Sequence, residues 1–376
     1  MTPATPHRSP YARLTALLAA LCALAATGCT PTPGDDGSEQ TRPQDPTVII
    51  TDADSKGVVT YDSQKEILRG YFRDGRLAWQ EKNVFPGEVH CASSCPDAGF
   101  SVNEASKSGS SPSEFVWHSG RQHRTIPFTQ PDTNLYWTSG PDEWIATDGN
   151  GLLWATGGKT HRLPIKGGVH EAQGRTSEGG ARIAISVAQG AQGNNSWKFF
   201  LFDVKNGRTK EPRIVSSALS GPVGCLSDAS DTALTLGAEP AAIRLSTGRT
   251  IKKYDKFSSE CSLNGSEAVS GSSSAGASGT LRELRMMNLA APESAPALAT
   301  AHGDSRISVS RGCGVFVSRG TVGLLTAKAG TRTTGIPAQD ALALDDGTLY
   351  AAKADGSAQV FRVTSGQGTC TVRPAD

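Results

Sequence analysis

From residue 47 onward, short runs of alternating or uniformly apolar residues recur along the chain, each bounded by Gly, Asp, Asn or Ser. No stretch repeats its apolar positions at the 3.6-residue period of an amphipathic helix, so the runs predict β-strands. One arrangement returns: an apolar strand, a Gly turn, then a polar strand. It reads YFRDGRLAW at Gly75, FVWHSGRQHRTIP at Gly120, LLWATGGKTHRLP at Gly158, FLFDVKNGRTKEP at Gly207 and AIRLSTGRTIKK at Gly248. LLTAKAGTRTTGIP at Gly330 and VFRVTSGQGT at Gly366 continue it, and LRELRMMNLAAP near Leu289 is a copy without the Gly. Glycine supplies the positive φ that a tight hairpin needs.

Successive copies are 36 to 49 residues apart. A period near forty with about four strands per repeat predicts an all-β fold, a β-propeller of about eight four-stranded blades. Seven blades result if the strands within 48–62 complete the last blade instead of building their own. A pair of two-sheet sandwiches also has closely spaced strands; the regular period favours the propeller. The stretch GRLAW, Gly75 to Trp79, is similar to the Gly-x-x-x-Trp of PQQ-like repeats, and EWIATDGNGLLWATGG resembles blades of sensor propellers. Residues 47–376 thus resemble the WD40-like and PQQ-like propeller superfamilies. A standard WD40 repeat is excluded, because no Gly-His and Trp-Asp pair occurs.

The N-terminus has a different pattern. Arg8 and Arg13 precede an unbroken apolar run, Leu14 to Ala26, with no acidic residue before it. Thirteen residues at about 1.5 Å each cannot cross a hydrocarbon core of about 30 Å, so the run fits the core of a secretory signal peptide. Small residues then lead to Cys29 in AATGC, which resembles the lipobox of bacterial lipoproteins, although Ala26 stands where that family usually has Leu. The resemblance implies cleavage before Cys29, lipidation of its thiol, and a location on the outer face of the bacterial cytoplasmic membrane. Residues 30–46, TPTPGDDGSEQTRPQDP, hold nothing that builds a core and read as a disordered tether. Seventeen such residues span about 20–25 Å on average. The expected organisation is a signal peptide at 1–28, a lipid-anchored linker at 29–46, and the propeller at 47–376.

Charge adds mainly exclusions. The chain has 37 basic and 36 acidic residues, and loss of Arg8 and Arg13 with the signal leaves 35 against 36. No basic excess is available for nucleic-acid phosphates, and a balanced, Gly-rich chain is not a disordered polyelectrolyte. Beyond Cys22 and Cys29, six cysteines remain: Cys91, Cys95, Cys225, Cys261, Cys313 and Cys370. An even number in an exported chain points to disulfides. Fifteen pairings exist; neighbourhood favours Cys91 with Cys95 and Cys225 with Cys261, leaving Cys313 with Cys370. A zinc site lacks a second cysteine pair at the required spacing.

Catalytic signatures are sparse. There is no vicinal Cys-Cys of PQQ dehydrogenases, no intact sialidase box, no Gly-x-Ser-x-Gly elbow and no phosphate-binding glycine loop. No cofactor or metal is implied. Asp52-x-Asp54-x-x-Gly57 begins like a calcium loop, but Lys56 and Ser63 occupy ligand positions. His118 and His123 flank Gly120 and read as solvated histidines on adjacent polar strands. Lys252, Lys253 and Lys256 fit an outer strand that blocks edge pairing. Three Gly/Ser segments, Ser106–Ser113, Gln189–Ser196 and Ser272–Gly279, fall between the second and third strands of alternate repeats and predict three long loops on one mouth of the ring. Trp117 and Trp197 follow the first two and are candidate anchors on that binding face. The sequence therefore predicts a non-catalytic, lipid-anchored scaffold for a protein or cell-envelope ligand. A carbohydrate-active or other extracytoplasmic enzyme is the alternative, which requires titratable groups to converge in the channel.

Overall fold

The computed structural model describes residues 47–375 apart from 85, 92–93, 103–113, 120–121, 128–132, 178–179, 190–195, 238, 255–259, 265–266, 277–278, 289–296, 303–305 and 327–328. The chain divides after Thr41 into two units, and the described residues belong to the second. Cys29, the signal peptide and the tether lie outside them.

Every regular element among the described residues is a strand, and the strands form eight sheets in chain order. Each sheet is an antiparallel meander of consecutive strands, here called a to d from first to last. The blades span 48–82, 86–127, 134–164, 171–219, 223–253, 260–302, 308–337 and 340–374. Blade 4 departs slightly: Arg208–Thr209 and Arg213–Leu219 both pair with strand c, Ser196–Lys205, so two short segments share the outer position.

Eight buried clusters show how the sheets are arranged, because each cluster joins two neighbouring blades. Val59, Leu68 and Trp79 of blade 1 meet Val89, Phe100 and Val116 of blade 2. Tyr136, Trp137 and Trp154 of blade 3 meet Ile183, Phe200 and Phe202 of blade 4. The series continues around to Val48, Ile50 and Tyr71 of blade 1 against Tyr350, Ala352 and Ala358 of blade 8. Eight blades with eight interfaces close a ring. The hydrophobic pattern explains why: inner strands such as Gly57–Asp62 and Thr348–Ala352 bury side chains on both faces, one toward each neighbouring blade.

Closure occurs without strand exchange. Strands Val48–Asp54 and Gly57–Asp62 pair with Ile67–Phe72 and Leu77–Lys82 as a complete first blade, so the seven-blade alternative does not apply. Side chains hold the seam instead. Tyr350 donates its hydroxyl to the Asp54 carbonyl at 2.9 Å, and Thr60 donates to the Gly356 carbonyl at 2.9 Å.

The repeat marker of the sequence lies at one structural position, the turn from strand c to strand d. Gly75, Gly158, Gly207 and Gly248 occupy it with φ of 79°, 75°, 71° and 70°. Gly248 is doubly constrained, since a Cβ there would strike the Val215 carbonyl of blade 4. In blade 8 the left-handed residues are Gln367 and Gly368, just beyond Gly366. Gly120 and Leu289 fall outside the described residues.

Candidate functional site

The inner a strands leave one backbone edge without a strand partner, and their N–H groups still need acceptors. Side chains from the preceding blade supply them. Asp340 accepts from the Ile50 N–H at 2.8 Å, Asp52 from Cys91 N–H at 2.7 Å, and Asp54 from Cys95 N–H at 2.9 Å. Ser308 accepts from Ala343 N–H at 2.8 Å, and Ser186 from Val223 N–H at 2.9 Å. In each bond the acceptor belongs to one blade and the donor to the next, so the stitches run one way around the ring.

Asp52, Asp54 and Asp340 are the titratable members. Burial pushes the Asp52 and Asp340 carboxyls up, while His90 and Arg306 for Asp52, and Arg306 for Asp340, pull the other way. The second oxygen of each accepts a local N–H as well, from Ala53 at 2.9 Å and Ala341 at 2.8 Å. Acid–base chemistry needs a carboxyl free to meet substrate. Here both oxygens of each hold backbone, so the arrangement works as a joint between blades. The calcium-loop spacing of Asp52 and Asp54 has the same explanation: their carboxylates pin the two ends of the Cys91–Cys95 loop. Among the described residues no group of His, Cys, Asp and Glu is arranged to hold a metal.

The remaining candidates are placed as follows. Disulfides join Cys91 to Cys95 and Cys313 to Cys370. Cys225 is also disulfide-bonded, and its strand Val223–Ser227 packs against Glu260–Asn264, which carries Cys261. His118 and His123 are register partners across blade 2. His118 is buried and not solvated: its ring stacks on Trp79 at 4.6 Å, and its Nε2 lies 3.2 Å from Glu81. The blade interface captures it because Trp79, the tryptophan of GRLAW, docks on blade 2 and donates its indole N–H to the Pro96 carbonyl at 2.7 Å.

The binding-face expectation needs two corrections. Trp197 is only 6% exposed, and Trp117 packs beside Leu135, Trp144 and Ala155 between blades 2 and 3. Both indoles fill the body, because burying so large an apolar surface outweighs leaving it at a mouth. The second correction concerns Ser272–Gly279. Ser272 pairs with Glu283, and the ladder continues to Gly276 opposite Gly279, so the segment extends strands b and c of blade 6. The backbone ladder to a committed partner strand overrides the weak strand propensity of Ser and Gly. The two longest b–c connections are then 103–113 and 190–195, both outside the described residues.

No family model matches this chain, and no curated protein matches it by sequence. Among solved structures, Kluyveromyces lactis Hsv2 is similar over 86% of this chain and 95% of its own, at 8% identity and a TM-score of 0.43. The WD40 β-propeller domain of Doa1 is similar over 76% and 94%, at 12% identity and a TM-score of 0.39. The propeller assignment rests on the chain's own eight sheets and eight interfaces.

Proposed function

We propose that this chain is a lipid-anchored, extracytoplasmic scaffold whose propeller binds a protein or cell-envelope ligand without catalysing a reaction. The observation that carries this reading is the use of the inner carboxylates. Asp52 and Asp340, two carboxylates of the inner strands, are spent on backbone N–H groups at the blade joints.

Antiparallel order locates the preferred surface. Strand a begins at the end of the blade where b turns into c, so the chain enters blade 1 at the mouth that carries the 103–113 and 190–195 connections. Anchorage at Cys29 keeps that mouth within reach of the membrane. Disulfides support an oxidising compartment.

The test trims 103–113 and 190–195 to four-residue turns in the full chain. Unchanged thermal unfolding with loss of a cross-linked native partner is expected. Retention of the same partner at equal yield places the contact surface elsewhere. Cys29→Ser, assayed in parallel, should release the protein from the membrane fraction or leave its signal uncleaved; normal cleavage and unchanged partitioning refute the anchor.

A further inference from the structure

The outer strands of blades 4 and 5 differ from the rest of the rim. Four large hydrophobic side chains are exposed among the described residues, and two of them lie here: Ile214, 57% exposed, and Ile251, 46% exposed. Each is the second residue of its outer strand, Arg213–Leu219 and Thr250–Lys253. The two strands are neighbours, since Arg213 donates to the Leu245 carbonyl at 2.7 Å at the turn leading into Thr250–Lys253.

Charge follows the same edge. Lys205, Arg208 and Lys210 in blade 4 and Arg244, Arg249 and Lys253 in blade 5 are all exposed. Glu211 is the single acid in 204–219, and 241–253 contains none. Glu239 pairs with Lys253 at 2.7 Å, with both side chains largely in water. In a chain that is nearly neutral overall, this is a concentrated positive edge with two apolar points.

We infer that this edge rests on an anionic lipid surface, so that the ring stands on its rim. The inference deepens the anchored-scaffold reading and rests on it. Basic side chains are drawn to an anionic bilayer, and exposed isoleucines enter the headgroup region. The b–c mouth then faces sideways, open to a ligand.

The full processed chain, purified from membranes, is reconstituted into phosphatidylcholine vesicles with and without phosphatidylglycerol. Amide exchange is read across Arg213–Leu219 and Thr250–Lys253. Exchange slowed several-fold only on the anionic vesicles, and restored at about 0.5 M salt where the screening length is about 4 Å, is expected. The variant R208Q/R244Q/R249Q/I214S/I251S, checked for an unchanged unfolding temperature, should lose the difference. A variant carrying I214S/I251S alone covers the case where the larger set unfolds, and it should weaken the protection. Equal exchange on both lipids, or protection that survives these substitutions, overturns the inference. Failure of the anchor reads differently: the protein then leaves phosphatidylcholine vesicles altogether. In that case, salt-sensitive pelleting with anionic vesicles and protection of the two strands still supports the edge, and no pelleting at all overturns it.

Discussion

Between blades 3 and 4, five aromatic side chains, Tyr136, Trp137, Trp154, Phe200 and Phe202, fill one interface, with Trp154 edge-on to Phe202 at 5.9 Å. Between blades 7 and 8 the buried set is Val, Leu and Ala with Cys313 and Cys370, and its one aromatic, Phe361, is only partly buried. All six tryptophans lie in blades 1 to 4. The difference shows two ways to hold a blade. An aromatic side chain removes about 150–250 Å² from water. Small side chains remove less, and where the ring relies on them a covalent bond restricts the unfolded chain instead. The clip ties two neighbouring blades: Cys370 is on Thr369–Pro374, the outer strand of blade 8, and Cys313 is on Cys313–Ser318 of blade 7.

The largest expected effect comes from breaking the aromatic half. Trp154→Ala should cost about 3–5 kcal/mol, read from the denaturant midpoint. Leu349→Ala, fully buried in the blade 7–8 interface, should fall at the lower end of the roughly 2–5 kcal/mol range. Equal losses would erase the contrast between the halves.

Next in size is the clip. Replacing Cys313 and Cys370 with alanine, across a sequence separation of 57, should cost about 2–4 kcal/mol. Exchange should rise first at Cys313–Ser318 and Thr369–Pro374, while the strands around Trp154 keep their protection. Uniform loss around the ring would mean that the two halves do not differ in local stability.

The seam where the halves meet gives a smaller, pH-dependent effect. Asp340→Ala leaves the Ile50 and Ala341 N–H groups without an acceptor and should cost about 1–3 kcal/mol. Asp340→Asn keeps an acceptor and removes a buried charge. Because burial raises the Asp340 carboxyl above its ordinary value, its stabilising share is complete below the unfolded value and is lost as pH rises through the folded one. The Asn variant should therefore gain on the wild type as pH rises through that window. Asp62 behaves oppositely. Burial pushes it up, but Lys65 at 2.8 Å and Arg69 hold it below the ordinary value. Its share is present above the unfolded value and lost as pH falls through the folded one, so Asp62→Asn should be harmful at neutral pH and harmless in strong acid. Parallel pH profiles for the two variants would contradict this assignment.

The smallest effect is expected at the exposed pair Lys253–Glu239. Lys253→Ala should leave the unfolding midpoint essentially unchanged. A measurable loss would mean that surface ion pairs also help to hold the smaller-residue half.

The strands, the turns and their period were legible in the residues, because alternation and positive-φ glycines are local properties. Gly75, Gly158, Gly207 and Gly248 mark the same c–d turn in the structure that they marked in the repeat. The repeat favoured eight blades and left seven open, and the fate of Ser272–Gly279 and the roles of the acids were not legible. Whether 48–62 pairs with 67–82 or with the last blade is a choice between two partners of similar apolar character, and only the closed ring decides it. Gly and Ser carry no periodic signal, so a strand extended by its partner's ladder reads as a loop. Asp52 looks like a ligand in its own segment and becomes a joint only because Cys91, 39 residues away, offers its N–H. Trp117 and Trp197 could not be assigned to surface or core from their position, since burial depends on which blade stands next to them. Local chemistry thus determined the blades; long-range packing decided which charged and aromatic groups were left to meet anything else.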